Sequence, residues 1–495
     1  MEHFKKICTL AMVLGFSYPL FAEVQNVKVS GDVTVRSIYK SDFDLRKATS
    51  GNVASGTADD AGFVASFARV GVNADLTDNV STEVGLSNQR LWGYEGTAAG
   101  AGDIDLHSAY ITLKEFFYSP LTIKVGLQPL KFGRGLIVGP GLLSDPSGGI
   151  SSGTAANVDG GNTAAAGGSA AGAGVGFQGA REYSILNNFS AFRATLDYNP
   201  WTIDGIIAKL SETVKNNADQ TLSGINVGYK FGSYNAEAEG YWFWKTDENW
   251  NQTFPTVTGQ ATGRNFEEND VHTFGLRGSV EPVSKLTLNG EIGYQAGEIR
   301  DKTQDGGPSP AAGTYPLIRD RRAWAFDIDG EYAFETVYSP TFGLGWIFRS
   351  GEEAGNNGRF EAWDPMYTSR YVTAIEDFLG GFQAQDIYGT QDPNDTAANT
   401  NRNLLRVFGS AKPLDSLKAN LAWVRAWFEE RPVAGRSKHA GDEFDFMLNY
   451  DYTEDVKLGL LTAWFLPGKY YDGGSGANKS NDTATEIAGT VSVMF

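Results

Sequence analysis

Residues Thr485–Phe495 alternate without a break. Ile487, Gly489, Val491, Val493 and Phe495 take one side, and Glu486, Ala488, Thr490, Ser492 and Met494 the other. A period of two marks a strand with one oily and one wetter face. The pattern recurs throughout the chain. Val27, Val29, Gly31, Val33 and Val35 alternate with Lys28, Ser30, Asp32, Thr34 and Arg36, and Phe342, Leu344, Trp346 and Phe348 with Gly343, Gly345 and Arg349. An aromatic-tipped strand left bare recruits other chains through its open edge. Pairing the last strand with the first removes that edge and closes a cylinder. The expected fold is all-β: a single closed antiparallel transmembrane β-barrel of about 18 strands.

The connections support this expectation. Thr77-Asp78-Asn79, Phe117 to Pro120, Asn199-Pro200, Gly232-Ser233 and Glu454-Asp455 are tight turns, whereas 41–62 and 351–401 are long and polar. Short turns at one end and long loops at the other are what an outer-membrane barrel shows, the short ones periplasmic and the long ones extracellular. Trp92, Trp242, Trp244, Trp346, Trp427 and Trp464 end rising strands and Trp324 starts a falling one, as an aromatic girdle requires. Tyr198 and Trp201 flank a short turn and are expected at the opposite interface.

The 495 residues include 60 Gly and only 17 Pro, which suits many strands joined by turns. Mean hydropathy is −0.28 and no apolar run is long enough for a membrane helix. Barrels escape such scans because only alternate residues face lipid. Residues 1–22 read as a secretory signal: Lys5 and Lys6, then apolar Ile7 to Phe16, then Ala22 as a cleavage residue. Residues 23–495 are then the barrel, without cysteine, since Cys8 falls within the signal. Disulfides and thiolate metal sites are thereby excluded, and no metal or cofactor is expected. A net charge of −18 argues against nucleic acid as a partner.

A barrel this wide is not filled by its own side chains, so transport is the default function. By parity, Arg36, Arg69, Lys124, Gln128, Arg193, Lys230, Arg277 and Arg349 face inward and are the candidate pore-lining residues. Inward acids include Asp32, Asp75, Asp197, Glu237, Glu239, Glu291, Asp327, Asp329, Glu331 and Asp445. Such charges either form a constriction that selects the sign of a permeant or pair off along a solvated wall. Within the loop at 133–187, Gly139 to Ala180 is almost wholly Gly, Ala and Ser. This tract is a candidate for a lid folding into the pore, or a flexible surface loop.

Three stretches resemble one family. D-L-H-S-A-Y-I-T-L from Asp105, V-G-L-Q-P-L-K-F-G-R-G-L-I-V-G from Val125 and F-R-A-T-L-D-Y from Phe192 are similar to the alginate export family of bacterial outer-membrane barrels. Leu127 stands where that family carries Arg before its Gln. The resemblance implies a barrel that carries a charged polysaccharide or other hydrophilic solute across the outer membrane. The C-terminal Phe495 also resembles the signal by which the barrel-assembly machinery recognises such chains, which implies periplasmic termini. A general diffusion porin and a surface-adhesion barrel are the alternatives. An enzyme is not expected, because His107, His272 and His439 form no visible base–nucleophile constellation.

Overall fold

The computed structural model describes residues 26–42, 45, 60–92, 104–140, 188–211, 220–247, 252–253, 265–301, 317–352, 359–377, 400–431, 435–473 and 482–495. The signal segment and nearly all of the Gly/Ala-rich tract lie outside these residues. The sheet contains 20 strands, of which Gln252–Thr253 and Arg359–Phe360 are two-residue additions. The remaining 18 form the wall. In chain order they are β1 (Asn26–Ser41), β2 (Asp60–Thr77), β3 (Val80–Leu91), β4 (Asp105–Leu113), β5 (Leu121–Gln128), β6 (Phe189–Tyr198), β7 (Trp201–Ser211), β8 (Gln220–Lys230) and β9 (Glu237–Asp247). They continue as β10 (Asn265–Val283), β11 (Leu286–Asp301), β12 (Leu317–Ala333), β13 (Thr341–Arg349), β14 (Arg402–Leu414), β15 (Leu417–Trp427), β16 (His439–Asp451), β17 (Val456–Pro467) and β18 (Ala484–Met494).

Each wall strand pairs antiparallel with the next. β18 then pairs with β1, from Asp32 opposite Met494 to Ser41 opposite Thr485. The cylinder is closed. At the seam Phe495 exchanges both backbone hydrogen bonds with Gly31, at 2.8 and 3.0 Å. A Cβ on Gly31 would lie 2.7 Å from the Phe495 ring, so only glycine lets that ring settle on the first strand.

Period-two alternation accounts for the two surfaces. On β13, Phe342, Leu344 and Trp346 are exposed outward while Ile347 is buried inward. So much outward apolar area suits a wall bathed in lipid and would be costly in water. One outward row joins Trp242, Phe274, Tyr294 and Trp324 across β9 to β12. Tyr198, Trp201 and Phe231 are exposed at the opposite end. Connections at that end are short: 78–79, 114–120, 199–200, 231–236, 284–285, 334–340, 415–416 and 452–455. Those at the other end run from 212–219, the shortest, to 129–188.

Candidate functional site

Among the described residues, two stretches leave the wall at its long-loop end, fold back inside and narrow the lumen. The first follows β5. Gln128 begins it with 0 % exposure, donating its amide to the Ala191 carbonyl on β6 at 2.8 Å. Leu130, Phe132, Leu136, Ile137 and Val138 are all buried, and the Phe132 ring lies 5.2 Å from Phe243 on β9. Alternation lapses after Gln128, and Gly133 and Gly135 take positive φ of 56° and 84°. Side chains seldom adopt that backbone, and here it turns consecutive amides toward carboxylates. The Gly133 amide donates to Glu239 Oε2 at 3.0 Å, and the Arg134 amide to Glu291 Oε2 at 2.7 Å. Tyr241 donates its hydroxyl to the other Glu291 oxygen at 2.7 Å. The Arg134 guanidinium reaches Asp327 at 3.0 Å and also Asp329, both inward on β12.

The second stretch, 359–377, follows β13. Trp363 is buried against Gly293 on β11, where a Cβ would meet its ring at 2.7 Å. Asp364 and Gln295 exchange hydrogen bonds at 2.7 and 2.8 Å, and Lys245 of β9 meets the Asp364 carboxylate at 2.6 Å. Burial opposes the charge on Asp364, yet Lys245 and Arg321 outweigh it and hold this carboxyl below the usual range. Arg370 pairs with Asp327 and lies 3.6 Å from Asp329. Further along, Glu443 of β16 accepts the amides of Ala374, Ile375 and Glu376 at 2.8, 2.8 and 2.7 Å. Arg402 of β14 meets Glu376 at 2.9 Å.

The two stretches are stitched together. Tyr367 donates its amide to Ile137 at 2.9 Å, Gly139 to Tyr367 at 2.8 Å and Ser369 to Gly135 at 2.9 Å. Asp327 and Asp329 are thus bracketed by Arg134 from one stretch and Arg370 from the other. Opposite charges held this way fix loop against wall, since Asp327 and Asp329 each meet a guanidinium from both stretches.

Residues picked by parity fare unequally. Arg69 pairs with Asp32 at 2.7 Å, Arg193 with Asp204 at 2.8 Å, and Arg277 with Glu237 and Glu239 at 2.5 and 2.7 Å. Arg36 lies over the Phe67 ring at 5.5 Å. Lys230 is exposed at the short-turn rim, opposite Glu237 in register. Gln128 and Arg349 point inward but do not meet water. Gln128 is covered by the first stretch, and Arg349, at 1 % exposure, lies under the second and donates to the Arg370 carbonyl at 3.3 Å. Lys124 and Arg406, like Arg36, lie over rings: Lys124 over Tyr110 at 4.3 Å and Arg406 over Phe408 at 4.6 Å. They stand on β5 and β14, half the circumference apart.

Arg134, Arg370, Asp364 and Arg406 escaped the sequence reading. The glycines flanking Arg134 in K-F-G-R-G were the one available signal, since they mark a turn that aims backbone amides. The segment 351–401 read as a long extracellular loop, yet its described part, 359–377, folds into the barrel. The Gly/Ala tract named as a candidate lid or surface loop lies almost wholly outside the described residues; among these, the residues just before it fold into the lumen. His272 faces outward, between Trp242 and Trp244 at ring distances of 5.9 and 5.3 Å. Among the described residues no group of three or more His, Cys, Asp or Glu is arranged to hold a metal ion.

Comparison with known proteins follows the same lines. The family model described as alginate export matches residues 180–485. Of the three resembling stretches, only Phe192–Tyr198 lies within that range. No curated protein matches the sequence. OccAB4 of Acinetobacter baumannii superposes with a TM-score of 0.51 at 11% identity, over 96% of this chain and 99% of that one. OpdQ and OccK11 (OpdR) of Pseudomonas aeruginosa give 0.49 and 0.48, each at 11% identity. OpdQ covers 96% of this chain and 99% of its own, and OccK11 94% and 96%. At such identity the likeness to OccAB4 concerns the fold alone.

Proposed function

The chain belongs to the alginate export family, and on that premise we propose that it is an outer-membrane channel passing hydrophilic, charged solutes or polysaccharide. An 18-stranded wall is too wide for its own side chains to fill, so the bore is set by what folds into it. The observation that carries the reading is the bracket of Asp327 and Asp329 by Arg134 and Arg370, which fixes two loop segments across the lumen. In this orientation the long loops face the exterior and the short turns and both termini face the periplasm. Phe495, locked to Gly31, is then the terminal residue offered to the barrel-assembly machinery.

Most lumenal cations already have a carboxylate close by. Lys124 and Arg406 touch rings instead, so their charge is the part left to meet an anionic group on a solute. An anion-preferring pore follows. Reversal potentials of the purified barrel in planar bilayers under asymmetric KCl test this. The expected result is a preference for chloride, which the double variant Lys124→Gln, Arg406→Gln moves toward potassium. Equal permeability in wild type and variant would favour a general diffusion porin. The absence of channels would favour a surface-adhesion barrel.

A further inference from the structure

The far end of the second stretch, 372–377, is seated on carboxyl groups. Glu443 of β16 accepts the amides of Ala374 and Ile375 on one oxygen and that of Glu376 on the other. Asp377 accepts the amides of Val372 and Thr373 at 2.6 and 3.0 Å. Asp445 stands two residues beyond Glu443 on the same inner face and hydrogen-bonds to it. Glu376 completes the group and is itself buried.

Arginines face this place from the neighbouring strands: Arg349 from β13, and Arg402 and Arg406 from β14. Arg402 meets Glu376 at 2.9 Å, whereas Arg349 donates to the Arg370 carbonyl and Arg406 lies over Phe408. The strands flanking β16 add no charge at this height. Beside Glu443 and Asp445, β15 presents Val424 and Ala422, and β17 presents Phe465 and Ala463.

Two carboxyl groups share a hydrogen bond only while one of them holds a proton. Glu443 already accepts three amides, so the proton belongs on Asp445. The Oδ1 atom of Asp445 is buried and has no hydrogen-bond partner among the described residues, and Oε2 of Glu376 is in the same position. A proton on such a carboxyl costs far less than a charge. Burial lifts the Glu376 carboxyl from its ordinary 4.5 to about 7, against the pull of Arg402 and with Asp377 adding to the lift.

We propose that this cluster is a proton-operated latch: 372–377 stays docked on β16 while Asp445 and Glu376 hold protons, and is released when both ionise. Ionised, Glu376, Asp377, Glu443 and Asp445 outnumber the three guanidiniums that face them and repel one another in an apolar setting. A carboxyl that keeps its proton more tightly when docked supports docking fully below about pH 4.5 and loses that support as pH rises through about 7. The bore is therefore narrower in acid. That consequence rests on the channel reading above, whereas docking itself does not.

Hydrogen exchange of the purified barrel tests the latch, read as protection factors, which divide out the intrinsic pH dependence of exchange. Between about pH 5 and about pH 8 the protection of the Ile375 and Glu376 amides is expected to fall roughly tenfold or more. Met366, whose amide rests on Asp364, is expected to keep its protection, because that carboxyl stays ionised throughout. The double variant Glu376→Gln, Asp445→Asn keeps Glu443 as acceptor and supplies two groups that remain neutral. It is expected to hold the Ile375 amide protected across the whole range. Asp445→Asn alone, whose amide donates to Glu443 in place of the proton, is expected to shrink the fall. Heat-modifiable migration verifies that the wall of each variant is folded. Constant protection of Ile375 in the wild type, an undiminished fall in both variants, or an unprotected Ile375 in the double variant at about pH 5 would overturn the proposal. No current is measured, so a failed latch leaves the channel reading standing, and a barrel that conducts nothing leaves the latch standing.

Discussion

The two segments that narrow the lumen do so by different means. Residues 129–139 bury five apolar side chains and add two backbone amides and one guanidinium. Residues 359–377 bury Phe360, Ala362, Trp363, Met366, Tyr367 and Ile375 and add a network of charges and amides: Lys245 with Asp364, Arg370 with Asp327, Arg402 with Glu376, and Glu443 on three amides. The first is held as a piece of core, and the second as core with a polar network laid over it. A network fails when one partner is removed, because the remaining ion keeps its burial and loses its compensation.

Phe132→Ala should have the largest effect. It empties the place where the ring packs against Phe243 and Arg193 of the wall, at a cost of about 3–5 kcal/mol, and should release 129–139 selectively. Hydrogen exchange should show faster amides at Gly133 to Val138, while amides 374–376 stay protected. Glu443→Gln sharpens the contrast from the other side. Replacing one of the two carboxyl oxygens shared among three amides by an NH2 group leaves at least one buried amide without its acceptor, should cost about 2 kcal/mol and speed exchange at Ala374 to Glu376, with Phe132 undisturbed. Comparable exchange in both segments for either variant would mean that the two behave as one unit. Gln295→Leu should be the mildest, about 1 kcal/mol, since it removes the neutral amide pair to Asp364 but leaves Lys245 in place. Its readout is exchange at Asp364 and Met366.

The wall was legible in the sequence because lipid imposes a rule on every second residue. Strands such as Leu121–Gln128 and Thr341–Arg349, the closing strand and the short-turn end all follow from that rule and from turn chemistry. The interior obeys no comparable rule. Parity puts Gln128 and Arg349 on the inner face correctly, but it cannot say what covers them. Stretch 359–377 is rich in Asp, Glu, Arg, Thr and Ser and so looks like a solvated loop. It is buried because its charges meet complementary ones at matching heights on β9, β12, β14 and β16. That match links residues far apart in the chain and has no local signature. The low-complexity tract drew notice by its composition, whereas the neighbouring K-F-G-R-G, which holds the contacts, is compositionally ordinary.

Single-channel conductance in planar bilayers tests the central claim most directly. The claim is that these two segments, and not the wall, set the bore. Replacing 359–377 by a short Gly/Ser linker should raise conductance several-fold over the wild type, since an unobstructed barrel of this size leaves a wide aqueous channel. Unchanged conductance in a folded variant would contradict it.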